Sequence, residues 1–135
     1  YWLNINDLNI PFVACVQQSN LVNERNYKSL HPVYLVSYTS QNSQLYKIEK
    51  QKIINQWLEY LKKINPDFRK GWLDSCKLFK EPFTQPVFKR NTYKKIPDFK
   101  TPLDNIYLAN TSQIYPWDRG INYSIRLGKK TEANI

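Results

Sequence analysis

The residue types that could do chemistry lie near the C-terminus. Asp118, Arg119 and Gly120 follow an apolar run and a proline, and an amphipathic run then ends at Gly128. This order predicts a buried strand, a turn, and a helix entered through Asp118 as its side-chain N-cap. The first amides of a helix lack partners within it and can donate to an acceptor, especially one that gains negative charge. Gly120 would let a flat ligand approach the backbone closely. On these residues alone, an ordinary helix cap is the simpler interpretation.

Other familiar catalytic patterns are missing from the sequence. His31 is the only histidine and has no serine or cysteine motif beside it, which favours a surface or capping role. Cys15 and Cys76 with one histidine make a poor metal-ligand set, so no metal site is predicted. No residue is assigned as catalytic. Any hard chemistry would belong to a cofactor whose main binding site lies outside this chain.

The clearest element is a helix predicted over residues 49–64. Its apolar side chains recur at helical spacing, and Pro66 stops it. The stripe could bind a partner, but packing on a sheet is the better explanation because the chain has strands to cover. The stripe consists of Ile53, Ile54, Trp57, Leu58, Leu61 and Ile64.

Several extended segments predict a sheet. Residues 10–18 and 32–39 are rich in β-formers and are expected to pair antiparallel, while residues 1–5 could begin a further strand. Residues 75–88 contain two prolines and read as an edge or bulged strand. Residues 103–110 read as the buried strand before the turn. We therefore predict an α+β fold: a mostly antiparallel sheet of four or five strands, one long amphipathic helix packed across it, and a C-terminal strand-loop-helix.

Composition limits the classes of protein that the chain could represent. At 135 residues it has the length of one domain, and no apolar run could span a bilayer. The net charge of +9 could indicate an anionic partner, but the lysines come in scattered pairs, which favours a solvated surface. Two thiols without a metal or redox motif favour a reducing, cytoplasmic location, and a disulfide between them stays open.

Three segments together resemble a known family. Residues 113–126 read QIYPWDRGINYSIR, residues 101–110 read TPLDNIYLAN, and residues 79–87 read FKEPFTQPV. They are similar to the C-terminal, flavin-contacting region of the FAD-dependent amine oxidase and protoporphyrinogen oxidase-like oxidoreductases, whose bacterial members end roughly in QIYPEDRGTNYAVR. The resemblance covers most of the chain. Trp117 departs from it, because an acidic residue is usual there.

The resemblance implies a division of the chain and a set of site residues. Residues 1–100 would belong to the substrate domain, and residues 101–135 would complete the flavin-binding domain, with both in a single compact unit here. The backbone beside the turn would contact the isoalloxazine edge and ribityl chain of FAD, through Asp118, Arg119, Gly120, Ile121 and Asn122. The substrate-cavity candidates are Phe79, Phe83, Gln85 and Tyr115. The competing explanation for the aromatic residues among them is ordinary core packing, with the prolines protecting a sheet edge.

The function implied by the resemblance is oxidation of a small molecule by hydride transfer from a C–N or C–C bond to FAD. The missing partner would be an N-terminal dinucleotide-binding half, which agrees with a chain that begins at Tyr1 and contains no methionine. This chain alone is expected to be inactive, to release FAD, and to expose an apolar flavin-domain face through which it could form a homo-oligomer. The alternative is a basic, non-enzymatic module for nucleic acid or another polyanion. It lacks any nucleic-acid motif, so nucleic acid is not the expected partner.

Overall fold

A computed structural model describes residues 1–134 and shows an α+β fold, as predicted. The chain divides into two compact units, Tyr1–Lys80 and Glu81–Ile135. Within the described residues, no helix is both long enough and apolar enough to cross a membrane. The assignment of residues 1–100 and 101–135 to substrate and flavin portions stays a prediction.

The first unit contains a three-stranded antiparallel sheet. Its strands are β1 (Trp2–Asn4), β2 (Ala14–Gln17) and β3 (Val33–Val36), in the order β1-β2-β3. The antiparallel pairing expected between residues 10–18 and 32–39 is confirmed, since β2 and β3 pair in this way. In the described part of the chain the sheet has three strands rather than four or five, because the later extended segments do not join it.

Two helices follow the sheet: α1 (Gln44–Lys47) and α2 (Lys50–Ile64). The bounds of α2 agree with the predicted helix. Its buried face packs on Phe12, whose ring centroid lies 5.4 Å from that of Trp57. Leu35 of β3 is partly buried against the same cluster, so α2 meets the sheet chiefly through Phe12 and this one strand residue. Phe12 has no exposed surface and forms the centre of the core.

The segments predicted as later strands are irregular. Residues 75–88 form no strand, because each of their two prolines lacks the amide that a ladder requires. Residues 103–110 also form no strand. Asn105 turns the chain with a positive φ of 60°, and only a single bridge joins Lys100 to Tyr107. The C-terminal strand-loop-helix is therefore a bridged turn, a loop and a helix.

The second unit is built around one long helix, α3 (Ile121–Glu132), whose Leu127 is buried. A short 3-10 helix, Thr111–Ile114, precedes it and buries Ile114. The other 3-10 turns of the chain are Gln18–Asn20, Glu24–Tyr27, Lys70–Trp72 and Thr92–Lys95.

Candidate ligand-binding turn before the last helix

The segment that leads into the turn is held by side-chain amides. Asn110 caps the short 3-10 helix, and the Gln113 side-chain oxygen accepts from the Asn110 amide at 2.8 Å. The Gln113 side-chain nitrogen donates to the carbonyl oxygens of Leu108, Pro97 and Asp98 at 3.0, 3.2 and 3.3 Å. The start of the turn is therefore tied to the loop before it, within the second unit.

The turn itself contains a cis peptide bond between Tyr115 and Pro116. The Trp117 amide donates to the Ile114 carbonyl at 3.0 Å, which closes a four-residue turn with proline at its third position. A carboxylate oxygen of Asp118 then accepts from the next amide, that of Arg119, at 2.7 Å. The Asp118 side chain is nevertheless exposed to solvent over 91% of its surface.

The predicted N-cap at Asp118 is wrong. Gly120 is the N-cap of α3, and no side-chain hydrogen bond caps this helix. The reason is position: Asp118 lies two residues before the cap, and its carboxylate is occupied within the loop. Gly120 is extended, with φ −175°, a backbone conformation that any residue adopts. What favours glycine is space, because a Cβ there would lie 2.7 Å from the Asn122 side-chain oxygen.

The first turn of α3 offers backbone donors at the surface. The Gly120 carbonyl accepts from both the amide and the hydroxyl of Ser124, at 3.0 and 3.1 Å. Within the described residues, no hydrogen bond occupies the amides of Ile121 and Asn122, as is usual in a first helical turn. Both residues are exposed, Ile121 at 82%. These amides are therefore accessible to an acceptor from outside.

A recess of about 230 Å³ opens beside the turn. It brings together three of the predicted site residues, Gln85, Asp118 and Arg119, with apolar walls from Phe88, Ile114 and Trp117. Pockets for whole ligands usually measure roughly 300–1,000 Å³. This recess could therefore accommodate only part of a cofactor-sized molecule.

A second recess, of about 140 Å³, lies on the Tyr123 side of Trp117. The rings of Trp117 and Tyr123 stack with centroids 5.9 Å apart and planes within 9°. The Arg126 guanidinium lies 5.3 Å from the Tyr123 centroid, and Lys130 also lines the recess. The spacing of Tyr123 and Arg126 could have revealed their contact, since residues three apart are neighbours on a helix.

The other three substrate-cavity candidates are not among the residues that line the first recess. Phe83 is 90% exposed. Tyr115 packs its ring on Phe88, with centroids 5.3 Å apart, and borders the second recess. Phe79 is an exposed residue of the first unit. Of the four candidates, Gln85 alone lines the recess beside the turn, and Phe88 is a lining residue that sequence reasoning missed.

His31 lies on the surface of the first unit. Its Nδ1 is 2.9 Å from the Ser19 hydroxyl, and its Nε2 is 3.6 Å from a Glu24 carboxylate oxygen. Both His31 and Glu24 have more than half of their side-chain surface exposed, which agrees with the predicted surface role of His31. The described residues contain no group of three or more histidine, cysteine or acidic side chains that could hold a metal ion.

Comparisons with known proteins identify no family for this chain. No protein-family model, curated protein or solved structure matches the chain.

Proposed function

We propose that this chain is the C-terminal portion of a flavin-dependent oxidoreductase that oxidises a small molecule by hydride transfer to FAD. One observation supports this most directly. Residues 118–122, which resemble the family's flavin-contacting motif, form a surface turn whose Ile121 and Asn122 amides have no partner among the described residues.

The donors at this turn suit one edge of a flavin. Backbone amides at a helix start favour an acceptor that gains negative charge, because the positive end of the helix dipole lies there. Bound FAD would supply the two-electron chemistry, and this chain would bind and orient its edge. The small recess fits this limited contact, so the rest of FAD would lie on the N-terminal dinucleotide-binding half. The chain alone is then expected to release FAD.

Residues 1–100 would contribute to the substrate portion of the intact enzyme. The exposed rings of Phe79 and Phe83 are candidates for contact with substrate or with the missing half, and Gln85 and Tyr115 would lie nearer the flavin edge. We place the enzyme in the cytoplasm, which the free thiols of Cys15 and Cys76 support. Burial raises the pKa of the Cys15 thiol and so lowers its reactivity.

The test is reconstitution with the polypeptide encoded upstream in the same reading frame. That polypeptide should open with a strand, a glycine-rich G-x-G-x-x-G turn and a helix. The purified assembly should show a flavin absorbance band after gel filtration, and the 135-residue chain alone should not. An assembly that holds no flavin would rule out the proposed function. Tight flavin retention by the chain alone would contradict the shared site.

The second candidate is a polyanion-binding module, and the Trp117–Tyr123 stack favours it. Stacked aromatic rings beside Arg126 and Lys130 could accept a base and its phosphate, in a chain of net charge +9. Binding to heparin or an oligonucleotide should then weaken steeply with salt. Arg126→Ala should reduce that binding, and Lys94→Ala, which removes a cation beside Tyr93, is a matched control. Equal losses in both variants would indicate only a diffuse charge effect.

A further inference from the structure

The loop between β2 and β3 folds back on itself. The Gln18 amide donates to the Pro32 carbonyl at 2.9 Å, so the two ends of the loop are bonded to each other. Between them the chain makes two 3-10 turns, and Lys28 and Ser29 then adopt positive φ values of 54° and 59°. Successive non-glycine residues with positive φ are strained, and such strain clusters at functional sites. The loop is therefore a candidate position for a site.

This loop brings a hydroxyl, an imidazole and a carboxylate together. Ser19 and His31 each lie next to one member of the bonded pair of loop ends, and the Ser19 Oγ is 2.9 Å from the His31 Nδ1. The other ring nitrogen, Nε2, is 3.6 Å from a carboxylate oxygen of Glu24, within the range of an ion pair. A nucleophile beside a base that a third group orients is the arrangement that activates serine in acyl transfer. Ser19 and His31 are twelve residues apart, so sequence spacing does not reveal their contact.

The hydrogen bonds around Ser19 determine the direction of proton transfer. The Ser19 Oγ accepts from the Gln17 side-chain nitrogen at 3.3 Å, which leaves its own hydrogen for the His31 Nδ1. In that tautomer the ring hydrogen lies on Nε2 and faces the Glu24 carboxylate. The other tautomer would set the Nε2 lone pair against the carboxylate, so Glu24 favours the one in which Nδ1 is the acceptor.

We propose that Ser19 is a nucleophile that takes an acyl group from small carboxylic esters, with His31 as its general base and Glu24 as a positioning residue. The Ser19 Oγ bonds to the ester carbonyl carbon, and its proton passes to the His31 Nδ1. The bond to the alcohol oxygen then breaks, and the alcohol leaves with that proton. Water hydrolyses the acyl-serine by the same route and releases the carboxylic acid.

The exposure of this group limits the substrate. His31 and Glu24 both have more than half of their side-chain surface exposed, so the acyl group is bound in the open rather than enclosed. Small, activated esters suit such a site. The activity depends neither on flavin nor on polypeptide outside this chain.

The nucleophile can be trapped on the whole chain with an alkyl fluorophosphonate. The Ser19 Oγ displaces fluoride from phosphorus, and peptide mass spectrometry locates and times the stable adduct. Ser40 is the control within the same molecule, since it is exposed and its hydroxyl accepts from the Asn42 amide. Ser19 should react about a hundredfold faster than Ser40, at the lower end of the range for general-base catalysis because the site is open to water. A Ser19 rate no higher than that of Ser40 would overturn the proposal.

Acyl transfer is measured with p-nitrophenyl acetate. The parent chain should release nitrophenolate faster than Ser19→Ala, a variant that keeps the imidazole and so accounts for direct hydrolysis by His31. Equal release by the two chains would show that Ser19 takes no acyl group.

Two further positions separate catalysis from support of the loop. The labelling rate of the parent should fall once acid protonates the imidazole, and His31→Gln should bring Ser19 to the Ser40 rate and remove that fall. Glu24→Gln should slow labelling less than His31→Gln does, and Glu24→Asp, which keeps the carboxylate, should slow it least. Thermal unfolding of each variant measures the support of the loop separately. If His31→Gln is folded and labels as fast as the parent, the bond between Ser19 and His31 is structural only.

Discussion

Replacement of Ile121 by proline removes a backbone amide that the proposed function requires, so it tests that amide alone. Ile121 is the first residue of α3, where proline is favoured because the amide there has no helical partner. Proline also requires an extended residue before it, and Gly120 is extended, with φ −175° and ψ 157°. Ile121→Pro should therefore leave the fold of the chain unchanged while removing one exposed donor.

The expected loss is that of one hydrogen bond to an acceptor that carries charge. Such bonds contribute about 1.5–3 kcal/mol. That range corresponds to a roughly tenfold to hundredfold weaker affinity for flavin in the reconstituted assembly. The loss should be larger for reduced than for oxidised flavin, because the acceptor then carries more negative charge.

The assay is fluorescence titration of the assembly with FAD. Ile121→Val is the matched control, since it keeps both the amide and a β-branched side chain. Thermal unfolding of each variant chain checks that the fold is retained. Equal flavin affinities in the proline and valine variants, with both chains folded, would refute the donor role of this amide.

Three further predictions concern stability. Phe12→Ala, at the fully buried centre of the core, should lower the free energy of unfolding by about 3–5 kcal/mol, whereas Phe83→Ala on the surface should change it by less than about 0.5 kcal/mol, as measured by denaturant titration. Hydrogen bonds from Lys70 and Lys62 lower the pKa of Glu59 from 4.5 to about 2, so the ionised carboxylate stabilises the fold fully above pH 4.5 and loses that effect as the pH falls through 2. The difference in unfolding free energy between the parent and Glu59→Gln should therefore disappear near pH 2. Gly120→Ala should cost about 1 kcal/mol or less in thermal unfolding, because the Asn122 side chain can move aside and alanine is a poorer N-cap than glycine; a much larger cost would mean that this side chain is fixed.

The sequence predicts the parts of the fold that regular periodicity encodes. The apolar stripe and the stop at Pro66 determine α2, and the runs of β-formers locate β2 and β3. Pattern alone could not exclude a strand over residues 103–110, because the positive φ at Asn105 comes from local turn geometry. The same apolar residues are compatible with a regular strand and with a turn closed by a single bridge.

The candidate site is predictable in position but not in detail. Asp118 has the right residue type for an N-cap, yet the cap falls two residues later because its carboxylate bonds inside the loop. The stack of Trp117 on Tyr123 depends on how the turn at Pro116 brings a loop residue back over the helix. No helical spacing encodes such a contact.

The side chain of Gln113 has a consequence for how the second unit deforms. Its nitrogen carries two hydrogens but lies within bonding distance of three carbonyl oxygens, so the bonds must be shared. A glutamate of the same shape would offer only acceptors to those oxygens and would push the loop away. The Gln113 carboxamide therefore connects the loop at Pro97–Asp98 to the segment that leads into the turn at Pro116. Displacement of either segment should displace the other.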